Sequence, residues 1–434
     1  MSIQRTPLLG AACALALVSG SSFATNGYFA HGYGTKNKAL AGAGVALPQD
    51  ALAAATNPAG MARVGSRLDV GAALFAPYRS YQADPFTGTE FVNSDGSEVN
   101  SERNLFLVPH FAYNRQLDDT SSLGIAVYGN GGMNSFYRNT DTPNGAAGTF
   151  FAGNTGVDLM QLFIAPTFAK SLNDKVSVGI SAIIAYQRFK AYGVSAFAGL
   201  SNDSGALSEN NFDDAYGIGA RIGVLADVTD RLTLGASYQS RIYMTEFDKY
   251  AGLFAEQGDV DIPSNLTVGL AFKATPTATV VFDVQHIRYS EVASIGNPMM
   301  PAMAACQTAL GGGATSDPSC LGGDNGMGFG WGDQTIYKLG LQWQYSADLT
   351  LRAGVSVTEI PFERSEVLFN LLSPATVEKH FTAGLTQRLG KDSEFSLSAM
   401  YAPEGSISGA PLGQTISVQM HQYELEASYG MTWN

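Results

Sequence analysis

The chain ends in HQYELEASYGMTWN, residues 421–434. Tyr423, Leu425, Ala427, Tyr429, Met431 and Trp433 share one side of an extended strand, and Glu424, Glu426, Ser428 and Thr432 share the other, because successive side chains point to opposite faces. An apolar face closing in Tyr and Trp suits a lipid-facing band with aromatic girdles, and a small polar face suits a lumen. A soluble antiparallel sandwich alternates in the same way, so one segment leaves both open.

Upstream the pattern repeats. Leu68, Val70, Ala72 and Leu74 oppose Asp69, Gly71 and Ala73; Leu232, Leu234, Ala236 and Tyr238 oppose Thr233, Gly235, Ser237 and Gln239; Leu339, Leu341, Trp343 and Tyr345 oppose Lys338, Gly340, Gln342 and Gln344. Alternation predicts about fourteen strands, near 66–80, 102–116, 122–138, 157–172, 176–192, 213–228, 231–246, 259–273, 277–291, 332–346, 349–362, 376–389, 393–404 and 419–434. Short links at 117–120, 173–175, 229–230, 275–276, 347–348 and 390–392 alternate with long ones, the longest from about 292 to 331. An even strand number with short turns at one end and long loops at the other is what an outer-membrane barrel requires, and closure leaves no edge strand. The fold expected is all-β: a fourteen-stranded antiparallel transmembrane β-barrel over 66–434.

Composition agrees. The 434 residues are 45% hydrophobic and only 15% charged, with 49 glycines and a net charge of −13. The glycines have no three-residue period, so collagen is excluded; apolar and aromatic residues are too abundant for disorder. Beyond the N-terminus no run approaches the roughly 20 apolar residues of a membrane helix. An acidic chain offers no basic stripe to nucleic acid.

Residues 1–24 read as a secretory signal peptide: Arg5, an apolar core from Leu8 to Val18, then Ser22-Phe23-Ala24 as a small-x-small cleavage site. Cys13 lacks the leucine that usually precedes a lipoprotein cysteine. Cleavage leaves 24 basic against 38 acidic residues, and only Cys306 and Cys320, a close pair that in an exported protein favours a disulfide over a metal site. No cofactor or metal is expected. Residues 25–65 are rich in small residues, with two short helix-compatible pieces broken by Pro48 and Pro58.

Several stretches resemble the FadL family of outer-membrane transporters of long-chain fatty acids and other hydrophobic compounds. GAGVALPQDALAAATNPAGM is similar to the family's plug, with Asn57-Pro58-Ala59 at its Asn-Pro-Ala signature; 261–272, 283–292, 328–356 and 369–385 resemble family strands and loops in the same order. The resemblance implies a fourteen-stranded barrel blocked by an N-terminal plug (25–65), extracellular capture, and sideways exit at a kinked third strand. Here that strand reads GIAVYGNGGMNSFYR. Gly129, Gly131 and Gly132 have no side chains to pack, and Asn130 tolerates the positive φ some bulges need, so a kink is expected there; a flexible turn at the strand's upper end is the alternative. Trp433 is penultimate, whereas such barrels commonly end on the aromatic residue itself.

A fatty acid burying sixteen methylenes at about 0.8 kcal/mol each gains roughly 13 kcal/mol, so transport calls for graded sites rather than one perfect pocket. Its carboxylate would need basic groups or convergent donors in the lumen. Parity places Arg221, Arg241, Lys338 and Arg352 inward, and height favours Arg241 and Lys338 for the headgroup; pairing with lumen acids such as Asp283, Glu424 or Glu426 is the alternative. Tyr28 and Phe29 are candidate ligand contacts or packing residues of the plug, and Asn57-Pro58-Ala59 reads as a structural anchor. Met299, Met300 and Met303 suggest an adaptable capture surface or a self-packed cap. Arg188 and Lys190 face outward and suit lipopolysaccharide phosphates or simple solvation. No Gly-x-x-x-x-Gly-Lys loop is present, so transport is read as passive.

The main reading is uptake of long-chain fatty acids by a single chain (a monomer) among outer-membrane lipids and lipopolysaccharide. Uptake of aromatic or aliphatic hydrocarbons, or export of oxidised fatty acids, would use the same route. An esterase is disfavoured because His110, His286, His380 and His421 lie on separate strands and none has a serine two residues along. A purely structural or adhesive barrel is the remaining rival.

Overall fold

The computed structural model describes residues 26–433; the stretch read as a signal peptide, with Arg5 and Cys13, lies outside the described residues. Fourteen strands form the wall: β1 (Ser66–Ala83), β2 (Phe106–Gln116), β3 (Ser121–Asn134), β4 (Gly156–Ser171), β5 (Val176–Tyr192), β6 (Asp213–Thr229), β7 (Leu232–Gln239), β8 (Asn265–Lys273), β9 (Ala278–Ile287), β10 (Gln334–Gln344), β11 (Leu349–Val357), β12 (Lys379–Arg388), β13 (Ser393–Gly409) and β14 (Ile416–Trp433). Each pairs antiparallel with the next, and β14 returns to β1 from Ser66↔Trp433 to Ala83↔Ile416, which closes the ring. Two short strands lie off it, Glu98–Asn100 on β1 and Tyr243–Met244 on β6.

The alternation sorts as expected. Ile222, Leu341, Leu425 and Tyr429 point outward and are about half exposed, as are their counterparts around the ring. A closed sheet that displays such a belt of large apolar side chains is solvated by lipid. No helix among the described residues is long and apolar enough to cross a membrane; the crossing is made by strands. Several strands end differently from the reading of the sequence: β2, β3, β9 and β11 each fall four or five residues short at the long-loop end. β7 and β8 are shorter at their loop ends, where 240–264 folds as a long link. β13 runs beyond 404 because Pro403, which has no N–H to donate, sits in a register shift between Ala402 and Gly405 that lets pairing resume.

Inside, residues 26–65 form a plug with short helices at Thr35–Lys38 and Ala53–Thr56 and a 3-10 turn at Pro58–Arg63. Leu40, Ala43, Val45, Ala54 and Ala59 are wholly buried. The plug is bonded to the wall on several sides. Gly44 and Val45 N–H donate to Asp283 on β9 (2.7 and 2.9 Å), Ala41 N–H to Thr382 on β12 (2.9 Å), and Arg63 pairs with Asp227 on β6 (2.9 Å). Lys38 Nζ lies 2.9 Å from Glu424 and 2.7 Å from Glu426, both on β14 and all buried. A buried charge persists only when paired. The wall meets the plug through glycine: a Cβ on Gly235 would stand 2.4 Å from the Val45 carbonyl oxygen, and one on Gly223 2.0 Å from Asn57 Oδ1.

Candidate transport route

β2 and β3 pair from Gln116↔Ser122 to Phe111↔Val127 and no further. Beyond that level β2 stays on β1 as far as Phe106↔Phe75, while β3 stays on β4 as far as Asn134↔Asp158. The ladder between them therefore parts in the half of the wall nearest the long loops. Its cause lies in β3, whose register on β4 slips between Gly129 and Gly131. From Asn130 to Ser135 every residue is buried, so alternation is lost and the strand turns inward. Residues 129–132 all have φ outside the left-handed region, so the positive φ expected of Asn130 is not used. Glycine is needed here for approach instead. The backbone groups freed by the slip are met by the plug: Ala30 N–H donates to the Asn130 carbonyl and Gly132 N–H to the Tyr28 carbonyl, both at 2.9 Å, with Phe29 bridged to Gly131. Asn130 accepts from Tyr33 Oη (2.7 Å) and donates to Gln161 (2.8 Å).

Tyr28 and Phe29 are fully buried beside this parting. The Tyr28 ring lies 5.1 Å from Tyr289 and 5.8 Å from Trp331, and Tyr289 lies 5.1 Å edge-on to Trp331. Such offset and edge contacts suit ring quadrupoles. Trp331 Nε1 donates to Asn370 (2.6 Å). Phe329, 6.3 Å from Trp331, belongs to a chamber walled by Phe189, Phe197, Leu253, Phe254, Leu321, Met327, Phe369 and Leu372. Among the described residues Ser294 is its one polar side chain, and its hydroxyl donates to the Asp259 carbonyl. The chamber holds about 30 Å³ of free space, room for about two waters, so a larger guest must displace rings or Met327.

The cations expected at a headgroup do not line this chamber. Arg241 donates from Nε to Asp261 (2.6 Å), lies 3.6 Å from Asp259 and bonds the Glu291 carbonyl. Lys338 is buried below, donates to the His31 carbonyl (3.1 Å) and is paired in register with Asp283. The two are thus not brought together at one site. Lys338 instead shares a second, polar chamber of about 20 Å³ with Arg221, Tyr33, Asn265, Thr267 and Gln285. Arg221 already donates to the Ala55 carbonyl, Tyr128 Oη and Gln239. Arg352 donates to Gln49, Gln342 and Thr386. Glu424 and Glu426 pair with plug Lys38, and Glu426 also lies 3.5 Å from His110 Nδ1 on β2.

Asn57 caps the Pro58–Arg63 turn, accepting from Ala59 N–H (3.1 Å) and donating to the Val45 and Val224 carbonyls (2.8 and 3.0 Å). Its Asn-Pro-Ala motif thus ties plug to wall. In the long loop, Met299 and Met303 lie on the helix Met299–Gly311 and are buried, and Met300 is partly so. An open capture surface of these methionines is therefore corrected to the alternative, a cap packed on itself. Cys306 and Cys320 form a disulfide that ties this helix to the following segment. One serine does reach a histidine: Ser356 Oγ on β11 lies 3.1 Å from His380 Nδ1 on β12, across strands rather than along one. Both are wholly buried, with His380 stacked on plug His31. No serine stands two residues along from these histidines, as read from the sequence; the contact comes from cross-strand pairing, which spacing along one strand does not reveal.

The chamber's phenylalanines escaped sequence reasoning because Phe197, Phe254, Phe329 and Phe369 come from four different links. The available signal was their presence in connections that are ordinarily polar.

The family described as outer membrane protein transport protein (OMPP1/FadL/TodX) matches residues 11–402. Among solved structures, the P. putida toluene transporter TodX is similar at TM-score 0.66 and 17% identity, over 93% of this chain and 99% of its own. A Pseudomonas aeruginosa FadL homologue gives 0.67 and 15%, over 94% and 100%. The Ralstonia pickettii toluene transporter TbuX gives 0.60 and 16%, over 93% and 99%. These likenesses speak for the fold. No curated protein matches the sequence. By the family match across most of its length, and by its closed and plugged barrel, the chain belongs to the OMPP1/FadL/TodX family of outer-membrane transport proteins.

Proposed function

We infer that the protein passes small uncharged hydrophobic molecules, aromatic or aliphatic hydrocarbons, across the outer membrane without an energy source. The route runs from the cap into the apolar chamber, past Tyr28, Tyr289 and Trp331, and sideways into the bilayer where β2 and β3 part. One observation carries the choice of ligand: among the described residues the chamber wall bears no charged side chain. Burying a carboxylate there without a partner costs on the order of several kcal/mol or forces it to take up a proton, a penalty that an uncharged hydrocarbon does not meet. The toluene transporters among the similar structures support the same reading. The conduit has no built-in direction, so flux follows the gradient.

Long-chain fatty acids are the second reading, favoured by the polar chamber in which Lys338 and Arg221 stand together. Uptake by cells with an intact outer membrane, given dilute labelled toluene or oleate, separates the two. The hydrocarbon reading expects toluene uptake to fall at least tenfold in Leu321→Asp and to persist in Lys338→Met. The fatty acid reading expects oleate uptake to depend on Lys338. Toluene uptake no faster than in cells lacking the protein would end the first reading.

A further inference from the structure

A row of cations and rings on the outside of the barrel takes no part in the route. Outward residues of β5 run Ile180, Ala182, Ile184, Tyr186, Arg188 and Lys190 toward the long-loop end. The isoleucines are about half exposed, as a lipid-facing wall demands, and the chemistry then turns aromatic and basic within three outward positions. The Arg188 guanidinium lies 3.6 Å over the Phe212 ring, and Lys190 Nζ lies 5.7 Å from Phe212 and 5.2 Å from Tyr192. Arg103, on the segment leading into β2, stands 5.6 Å over Tyr192 and 4.8 Å over Phe136 and donates to Tyr192 Oη (2.8 Å).

Rings hold Arg188 and Lys190 by their faces and leave their N–H groups free to donate, whereas Arg103 already gives Nη1 to Asp158 and Tyr192. Two acids stand nearby. Asp158 is taken up by Arg103 (3.0 Å), and Asp214 accepts from Tyr186 Oη (2.5 Å). Arg188 and Lys190 make no ion pair among the described residues. The row sits just above the aliphatic belt on the side of the long loops, the level of the outer leaflet's headgroups, and that leaflet is lipopolysaccharide. A chain this acidic is repelled by an anionic leaflet unless it carries a local patch of opposite sign.

We propose that Arg188, Lys190 and Arg103 bind the phosphates of one lipopolysaccharide molecule, at its lipid A headgroup. Arg103 reaches Asp158 on β4 from the edge of β2, so the bound lipid stands beside the parting of β2 and β3.

The test is native mass spectrometry of the purified protein in neutral detergent with bisphosphorylated lipid A, or with the same lipid stripped of phosphate. Wild type is expected to retain the phosphorylated form at least tenfold better. Arg188→Ala with Lys190→Ala is expected to abolish that preference, while Lys170→Ala, outward at the short-turn end of β4, leaves it intact. Equal retention of the two lipids by wild type, or an undiminished preference in the folded double variant, overturns the proposal. Should the double variant not fold, the comparison of lipids on wild type decides alone.

Discussion

Gly131 of β3 and Tyr28 of the plug meet backbone to backbone: a Cβ on Gly131 would stand 1.9 Å from the Tyr28 carbonyl oxygen. Neither atom is the movable end of a flexible side chain, so even alanine forces a backbone shift. Gly131→Ala is expected to cost about 1–3 kcal/mol, the usual range for overpacking, and to loosen the segment at Tyr28 and Phe29. Limited chymotrypsin digestion checks this: cleavage at those rings should appear in the variant and be absent from wild type.

Lys38 pairs with two buried carboxylates at once. Lys38→Met leaves Glu424 and Glu426 facing each other in the lumen, which costs on the order of 3–5 kcal/mol for a broken buried pair. We expect a lowered denaturation midpoint and, in planar bilayers, an ion leak as the plug unseats. Adding Glu424→Gln and Glu426→Gln should restore most of both, because the penalty lies in stranded charge.

Much of this was legible in the sequence, and the reason is periodicity. Every wall strand and short turn could be read because lipid outside and plug inside impose opposite demands on alternate residues. Trp343 and Tyr429 announce the lipid face, and Asp283 and Glu426 the lumen. The parting of β2 and β3 was legible only at Gly129–Gly132, where alternation fails. Partners in the lumen were not legible. Arg241 finds Asp261 and Lys38 finds Glu424 across long stretches of chain, and parity gives the face of a residue but not its neighbour.

In the cap, burial pushes the Asp259 carboxyl up to about 7, with Asp261 adding to the rise and Arg241 opposing it. An unfolded chain releases this proton near pH 4, so between about 4 and 7 the folded cap holds a proton that the unfolded one has lost. Stability then falls as pH rises through that window and levels off above it. Thermal midpoints across pH 4.5 to 8 should show the decline in wild type and a flatter profile in Asp259→Asn.

The Cys306–Cys320 bond closes a loop with a sequence separation of 14, for which chain entropy gives about 3 kcal/mol. Reduction, or Cys306→Ser with Cys320→Ser, is expected to expose the stretch from 299 to 325 to protease while the barrel stays folded. Tryptic and chymotryptic mapping with and without reductant reads this directly.

The wall glycines that admit the plug bear on permeability as a whole. A stopper notched into its cylinder at Gly223 and Gly235, and bonded to strands on several sides, is fitted too closely to slide out and back with each molecule carried. On the proposed sideways route the stopper can stay seated during traffic, which would keep the barrel closed to protons and salts while hydrophobic molecules pass.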